Sequence, residues 1–308
     1  MAQHPWILCA LVAVSTAIAQ TTPTRRVSIT IDDGPAVGSG NELASYQKIT
    51  SGLIQQFKAE KVPVTMFVNE RQLNVPGQRD ARAQVLVDWM DAGFELANHS
   101  YSHPSANRTP TREFLDDIVR GEVIMKGILE ARGKKLEWFR YPYLNSGETK
   151  EIHQEIMDYL ETRHYKVAHV TVDYADYSFA GAYSRELKAG RTENAAKIKQ
   201  AYLEQTDIGF DYAEKASKEV YGREIAQILL IHCNELNSVA IGEGIARMRK
   251  RGYTFISLDE AVKDEAYHRA DTFAGNGGSW LARTARLQDK KIIAEQPKFP
   301  KWITDLPR

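Results

Sequence analysis

Apolar and polar positions form two kinds of pattern along this chain, one typical of strands and one typical of amphipathic helices. Short runs rich in β-branched and aromatic residues predict strands, at Val27–Ile31, Val64–Val68, Phe94–Asn98, Leu136–Arg140, Lys166–Val172, Gln227–His232 and Thr254–Ser257. Amphipathic stretches between them predict helices, at Asn41–Glu60, Arg79–Ala92, Thr111–Ala131, Gly147–Arg163 and Asn237–Arg251. Strands that alternate with helices are typical of α/β proteins. We therefore expect an α/β fold, a distorted or incomplete (β/α) barrel of about seven parallel strands.

Two regions interrupt this alternation. Residues 178–222 form the least regular stretch. They predict an insertion made of a loop and two polar helices, near Asn194–Leu203 and Tyr212–Val220. Residues 264–308 predict a polar C-terminal extension rather than a separate domain. Its Trp280 and Trp302 predict that parts of the extension dock on the main body.

The N-terminal segment predicts a targeting signal. Residues 6–19 carry no charge and are mostly apolar or small, but they are too few to span a membrane. The run ends in Ala17-Ile18-Ala19, a small-x-small pattern that predicts a secretory signal peptide over residues 1–20. The alternative is a buried N-terminal helix, since no Lys or Arg precedes the run. We expect a secreted or periplasmic protein whose main domain spans residues 21–263.

Composition excludes several classes of protein. The 308 residues are 43% hydrophobic and 26% charged, as in ordinary globular proteins. Acidic and basic residues balance at 40 each, so bulk charge indicates no nucleic-acid partner. No later stretch predicts a membrane span, and nothing indicates a particular protein partner. Cys9 lies in the predicted signal, which leaves Cys233 either as a small buried residue or as a nucleophile.

Candidate chemistry begins at the end of the first predicted strand. Asp32 and Asp33 follow Ile31, and Gly34-Pro35 ends the strand at once. Active groups of strand–helix barrels collect where strands end and loops begin. One carboxylate could bind a metal while its neighbour accepts a proton. The alternative is a pair of solvated turn residues, because Asp-Gly-Pro is a common turn sequence.

Two histidines, His99 and His103, follow the third predicted strand. Pro104 disfavours α geometry at His103, which predicts a tight loop rather than a long helix. Two imidazoles and one carboxylate leave coordination positions open for water and substrate, as a catalytic metal site requires. By itself the pair could also be a coincidence of spacing.

Three further strand ends carry candidate groups. Arg140 could hold a carboxylate through paired hydrogen bonds, and the rigid Pro142 would fix the amide of Tyr143 as an oxyanion donor. Alternatively, Arg140 lies on the surface among packed aromatic residues. Asp173 and Asp176 follow the next predicted strand, and His232 ends the one after the insertion. A carboxylate beside this imidazole would raise its pKa and make it a general acid. The alternative for His232 is an ordinary buried histidine.

With these motifs, the sequence resembles the polysaccharide deacetylases, which carry the NodB-homology domain (carbohydrate esterase family four). The resemblance covers roughly residues 26–262. Five motifs appear in the order of that family: Thr30-Ile31-Asp32-Asp33-Gly34, His99-Ser100-Tyr101-Ser102-His103-Pro104, Arg140-Tyr141-Pro142-Tyr143, Asp173-Tyr174-Ala175-Asp176-Tyr177 and Leu230-Ile231-His232. Two positions depart from the pattern, because Tyr177 replaces a usual Trp and Ile31 a frequent Phe.

The resemblance implies a distorted barrel, one divalent metal ion that is commonly zinc, and an acetylated glycan as substrate. By matched position, the residues that resemble metal ligands are Asp33, His99 and His103. Asp32 resembles the catalytic base, and Arg140 its positioning partner. The residues implied on the acid and substrate sides are His232 as the acid, Asp176 as its partner, Leu230 at the acetyl methyl, the Tyr143 amide at the oxyanion and Tyr177 in the cleft wall.

We therefore expect a secreted metal-dependent hydrolase that removes N- or O-linked acetyl groups from a carbohydrate. The first alternative is a carbohydrate-binding protein on the same scaffold without turnover. The second is a glycoside hydrolase with two carboxylates, which would have no use for His99 and His103. Chitin-type, peptidoglycan-type and acetylated plant glycans are all compatible with the sequence.

Overall fold

A single parallel sheet forms the centre of the molecule. The computed structural model describes Met1, residues 25–38 and residues 40–306, so most of the predicted signal at 1–20 lies outside the described residues. Its strands are β1 Arg25–Gly34, β2 Val64–Val68, β3 Glu95–Asn98, β4 Trp138–Phe139, β5 Lys166–Val167, β6 Gln227–His232 and β7 Tyr253–Phe255. Their order is β5-β4-β3-β2-β1-β6, and β7 pairs with the start of β1. The predicted distorted barrel of about seven parallel strands is confirmed.

Helices cover the outside of this barrel. They are α1 Leu43–Glu60, α2 Arg79–Asp91, α3 Thr111–Arg120, α4 Val123–Glu130, α5 Lys150–Thr162, α6 Asp176–Lys188, α7 Thr192–Tyr221, α8 Glu235–Lys250, α9 Leu258–Ala261, α10 Trp280–Leu287 and α11 Lys301–Thr304. Side chains of β1 alternate between two environments, as a strand requires. Ile29 and Ile31 belong to the main apolar core, whereas Thr30 and Asp32 contact Arg140 inside the barrel.

The strand predicted at Lys166–Val172 is much shorter in the structure. Only its first two residues, β5, pair with β4. The carbonyls of Ala168 and His169 instead accept hydrogen bonds from the Arg140 side chain, at 3.2 and 3.4 Å. Beyond them, Thr171 and Val172 pair with β6, which closes the sheet on itself. The interior arginine therefore interrupts the ladder that the apolar pattern predicts.

The helix predicted at Thr111–Ala131 divides into α3 and α4. A Cβ atom on Gly121 would lie 2.4 Å from the carbonyl carbon of Ser100 and 2.5 Å from the amide nitrogen of Tyr101. Only glycine allows the backbone to approach this closely. The break therefore packs the end of α3 against the loop that follows β3.

The prediction of a loop and two short helices over residues 178–222 is wrong. This region contains α6 and the single 30-residue helix α7. Polar residues in the middle of α7 suggested an interruption, but they are buried with partners. Gln205 donates to the carbonyl of Lys298, and the Thr206 hydroxyl donates to the carbonyl of Tyr202. Sequence periodicity cannot distinguish such satisfied polar residues from a break.

Parts of the C-terminal extension pack against the barrel. Trp280 is 1% exposed, stacks on His169 at 3.9 Å between ring centroids, and donates its indole N–H to the Ala266 carbonyl at 2.9 Å. Near the chain end, Ile303 is buried while Trp302 is 42% exposed. Docking through Trp280 is thus confirmed, whereas near the chain end Ile303 is buried in place of Trp302. None of the helices in the described part of the chain has the length and apolarity needed to cross a membrane.

Candidate active site

Asp32 and Asp33 face one pocket although they are neighbours on a strand. Asp33 has a positive φ of 60°, and the pairing of β1 with β2 shifts register between Ile31 and Gly34. This local twist turns the second carboxylate toward the side of the first. As a result, Nε2 of His99 lies 3.6 Å from Asp32 Oδ2 and 3.7 Å from Asp33 Oδ1. The solvated-turn alternative is wrong for Asp32, which is 3% exposed.

Asp33, His99 and His103 form a cluster that fits a metal ion. One ligand atom from each residue lies within 4.8 Å of the others, and Asp33 Oδ1 is 3.4 Å from His103 Nε2. That carboxylate oxygen is buried and has no hydrogen-bond donor within the described ranges. A buried anionic oxygen without a donor is costly unless a cation satisfies it. The donor set and this unsatisfied oxygen both suit a divalent ion.

A hydrogen bond fixes the tautomer of His99. Its Nδ1 lies 2.9 Å from the carbonyl oxygen of Arg140. Because a carbonyl only accepts, Nδ1 carries the proton and the lone pair is on Nε2, which faces the two carboxylates. Such outer hydrogen bonds commonly orient histidine ligands.

The two histidines lie on a tight loop, as Pro104 predicts. Ser100 and His103 have φ values of 66° and 61°, which no α-helix contains. The Asn69 side chain donates to the His99 carbonyl at 2.6 Å, and Asp117 accepts two backbone amides of the loop. Burial and then the neighbouring His99 lower the pKa of His103 to about 4. The imidazole is therefore neutral near pH 7 and keeps a lone pair for a metal.

Arg140 is fully buried inside the barrel, so the surface alternative is wrong. Its Nη1 donates to Asp32 Oδ1 at 2.7 Å and to the Thr30 hydroxyl at 2.8 Å. The guanidinium also lies over the Phe67 ring, 4.2 Å from its centroid. These contacts fix one oxygen of Asp32 and leave Oδ2 facing His99.

His232 and Asp176 form a hydrogen-bonded pair on the other side of the pocket. Nδ1 of His232 lies 2.7 Å from Asp176 Oδ1, and the backbone amide of His232 donates to Oδ2 at 2.9 Å. Burial lowers the pKa of His232, but the charge and hydrogen bond of Asp176 outweigh it and raise the pKa to about 10. His232 is thus a protonated imidazole at neutral pH.

Three substrate-side candidates lie around this pair. Leu230 is buried but belongs to neither apolar core cluster, and it shares the inner face of β6 with His232. Tyr143 and Tyr177 are 63% and 56% exposed. Their rings contact His103 and His232 edge-on, with centroids 4.4 and 5.5 Å apart. Both tyrosines therefore border the pocket at its open side.

Cys233 does not face this pocket. It is fully buried, and its Sγ donates to the carbonyl of Pro35 at 2.6 Å. Burial raises the pKa of the thiol, which keeps it protonated. The small buried residue is the alternative that the structure supports.

Sequence reasoning missed several residues that hold the site together. Thr30 binds Arg140, Asn69 holds the histidine loop, and the side-chain amides of Asn234 and Asn237 donate to Asp176 Oδ2 at 3.0 and 2.7 Å. Thr30 gave a signal, because it precedes Asp32 by two residues and must share its face. The asparagines are distant in sequence from their partners and gave none.

Comparisons with known proteins agree with this architecture. Residues 19–162 match the family described as polysaccharide deacetylase. Among solved structures, a mutant of a carbohydrate esterase family four pseudoenzyme with restored enzymatic activity has a TM-score of 0.53, at 18% identity over 78% of this chain and 68% of that chain. The wild-type pseudoenzyme, from Bacillus anthracis, has a TM-score of 0.52 at 17% identity over 78% and 66%.

A peptidoglycan deacetylase from Bacillus subtilis shares the fold as well. Its TM-score is 0.50, at 21% identity over 78% of this chain and 93% of that chain. The comparison with curated proteins gave no match. The resemblance that the motifs indicate is confirmed, and the match to the polysaccharide deacetylase family covers residues 19–162.

Proposed function

We propose that this protein is a metal-dependent deacetylase that removes N- or O-linked acetyl groups from a glycan outside the cytoplasm, after loss of residues 1–20. One observation carries the catalytic part of the proposal. Asp32 and His232 are direct partners in the pairing of β1 with β6. A carboxylate and a protonated imidazole thus face the same pocket, beside the cluster of Asp33, His99 and His103.

That cluster would hold the divalent ion. Two imidazoles and one carboxylate suit zinc and leave positions open for substrate and water. When bound, such an ion would polarise the acetyl carbonyl and acidify the attacking water. The neutral state of His103 and the fixed tautomer of His99 support this assignment.

The surrounding side chains would move the protons. Asp32, held through Oδ1 by Arg140, would accept the proton of the attacking water at Oδ2. His232 would donate its Nε2 proton to the leaving amine or alkoxide. The Tyr143 amide would donate a hydrogen bond to the oxyanion that forms on the acetyl carbonyl.

Two apolar groups would shape the acetyl and glycan sites. Leu230, on the inner face of β6, would contact the acetyl methyl group. Tyr177 is exposed next to His232, where it would form part of the wall against which a sugar ring packs. Tyrosine at this position would give a smaller wall than the tryptophan usual in the family.

The experiment measures acetate released from a panel of acetylated glycans: chitin oligosaccharides, peptidoglycan fragments and acetylated xylan. We expect release from at least one of them, loss of release with a chelator, and recovery on adding zinc or another divalent ion. Release that a chelator leaves unchanged would overturn the metal-dependent mechanism. New reducing ends without acetate would indicate a glycoside hydrolase.

A glycan-binding protein without turnover is the second candidate. It is favoured by one observation, that the same fold occurs in a structure described as a pseudoenzyme. Fold therefore does not decide turnover. Binding of a glycan by the metal-loaded protein, with no acetate from any member of the panel, would establish this candidate instead.

A further inference from the structure

The loop that carries Tyr143 has an unusual backbone. Tyr143 and Leu144 have φ values of 58° and 56° in succession. Residues other than glycine adopt this left-handed region at an energetic cost, and they remain there only where the surroundings hold them. The question is what holds residues 142–147, called here the Tyr143 loop.

The answer lies in the C-terminal extension, in residues 271–283, called here the strap. A Cβ atom on Gly277 would lie 2.5 Å from the carbonyl oxygen of Tyr143 and 3.0 Å from that of Leu144. The amide of Gly277 donates to Asn145 Oδ1 at 2.8 Å. Glycine is thus required here by a close approach of two backbones rather than by a turn.

Arg283 adds a charged contact to the same loop. Its side chain is almost fully buried, donates to the Leu144 carbonyl, and forms an ion pair with the buried Asp271 at 2.8 Å. A buried guanidinium is costly to place unless its hydrogen bonds are satisfied. Here Nη1 donates to Asp271 of the strap and Nη2 to the loop, whereas Nε has no hydrogen-bond partner among the described residues.

Further hydrogen bonds join the two segments along their length. The amide of Gly275 donates to the Gly147 carbonyl at 2.7 Å, and the Ser146 hydroxyl donates to the Phe273 carbonyl at 3.0 Å. His153 lies between the segments, with its ring nitrogens 2.8 Å from the Ser146 carbonyl and 2.7 Å from the Asp271 carbonyl. The contact therefore consists mainly of directional polar bonds, which set an orientation.

From these contacts we infer that the strap contributes to the active site by fixing the Tyr143 loop. Gly277 and Arg283 are positioning residues for the Tyr143 amide. The inference rests on the proposed function, in which that amide stabilises the oxyanion. Both residues lie outside the part of the chain that matches the deacetylase family.

If the strap only covered the protein surface, its variants would behave differently from variants of a positioning contact. Disturbing such a cover would lower stability and loosen the whole site, including the metal cluster. Disturbing a positioning contact would lower kcat while KM and metal affinity stay close to those of the parent. The two cases separate because Asp33 and His99 are held by groups outside the strap and the Tyr143 loop. The third candidate ligand, His103, contacts the exposed ring of Tyr143 rather than the backbone that the strap contacts.

The test compares Gly277→Ala, Arg283→Gln and Arg283→Lys with the control Gly127→Ala on α4, where a Cβ would meet nothing within 4 Å. The Tm of each variant is determined first. kcat and KM for acetate release and the affinity for zinc are then measured at a temperature where every variant is folded. Loss of one oxyanion donor costs about 10²–10³ in kcat, so its displacement should cost about tenfold or more. We expect this loss for Gly277→Ala and Arg283→Gln, partial recovery for Arg283→Lys, and no loss for the control.

Hydrogen exchange supplies a readout that does not need activity. Backbone amides of residues 143–147 should exchange faster in Gly277→Ala and Arg283→Gln, while those of residues 97–103 keep their parental rates. Parental kcat in folded Gly277→Ala, or loss of zinc affinity together with kcat, would overturn the inference. If the parent itself releases no acetate, the proposed function fails, and unchanged exchange over residues 143–147 then overturns the contact between strap and loop.

Discussion

The two halves of the described chain contribute different chemistry to one pocket. Residues 25–162 supply the candidate metal ligands, Asp32 and Arg140, and they are held largely by bonds to backbone atoms of loops. Residues 163–306 supply His232, Asp176 and the strap. There, side-chain amides donate hydrogen bonds to the buried carboxylate of Asp176, which in turn holds His232.

This difference separates ion binding from proton donation. The first half could hold an ion and orient an acetyl group without the second. In the proposed mechanism, proton donation to the leaving group depends on the second half, because Asp176 raises the pKa of His232. The pairing of Asp32 with His232 along β1 and β6 brings the two functions together. Each half can therefore be disabled separately.

The largest effect should come from disabling the first half. In His99→Ala, the imidazole that faces Asp33 is lost, and a cluster with one ligand fewer should lose its ion. We expect acetate release to fall to background and bound zinc, measured by elemental analysis, to fall well below one per chain. Arg112→Ala, an exposed change on α3, serves as the control. Full zinc content together with full activity in His99→Ala would remove this residue from the metal site.

A large but more selective effect should come from the second half. In His232→Ala, the proton donor is lost while the metal cluster stays complete. General acid catalysis is worth about 10²–10⁴ in rate, so kcat should fall by about that factor. Zinc content should equal that of the parent. Loss of zinc along with kcat would show that the two halves are not separable.

Asp176→Asn should produce an effect that depends on pH. In the parent, His232 keeps its proton until the pH approaches about 10, and a bound dication would move this limit downward. Without the carboxylate, the pKa of His232 falls, so the alkaline limb of the kcat profile should move to lower pH by about one unit or more. One unit corresponds to about a tenfold loss of the protonated acid on the alkaline side.

The control for this variant is its behaviour on the acidic side. Below the new pKa, His232 is protonated in both proteins, so kcat of Asp176→Asn should approach that of the parent. The Asn234 and Asn237 amides lose a charged acceptor, and part of the loss can be structural. A loss of kcat that is equal at every pH would therefore refute the tuning role and indicate a positional one.

Sequence alone could predict the fold and the pocket for one physical reason. Strand ends of a parallel barrel converge, so motifs after β1, β3, β4 and β6 had to meet. Asp33, His99 and His103 were predictable in this way. The alternation of Thr30 and Asp32 also follows from strand geometry.

The remaining features depend on contacts between distant residues. The early end of β5 follows from the carbonyls that Arg140 binds, and α7 continues through Gln205 because its hydrogen-bond partner, Lys298, lies in the C-terminal extension. The strap gave a signal only in Trp280. Its decisive residue, Gly277, gave none, since a close backbone approach leaves no pattern in the sequence.

The smallest effect should come from the border of the pocket, where both halves face solvent. Tyr177 is exposed and contacts His232 only through the edge of its ring. Tyr177→Trp should leave kcat and zinc content within about threefold of the parent, because no charge or proton position changes. A larger ring offers more apolar area to a sugar, so KM for a glycan should fall, and Tyr177→Ala should raise it.

KM values for an acetylated oligosaccharide and for a small acetyl ester show whether Tyr177 acts on the glycan or on the acetyl group. If both variants change KM for the small ester as much as for the oligosaccharide, Tyr177 acts on the acetyl group rather than on the glycan.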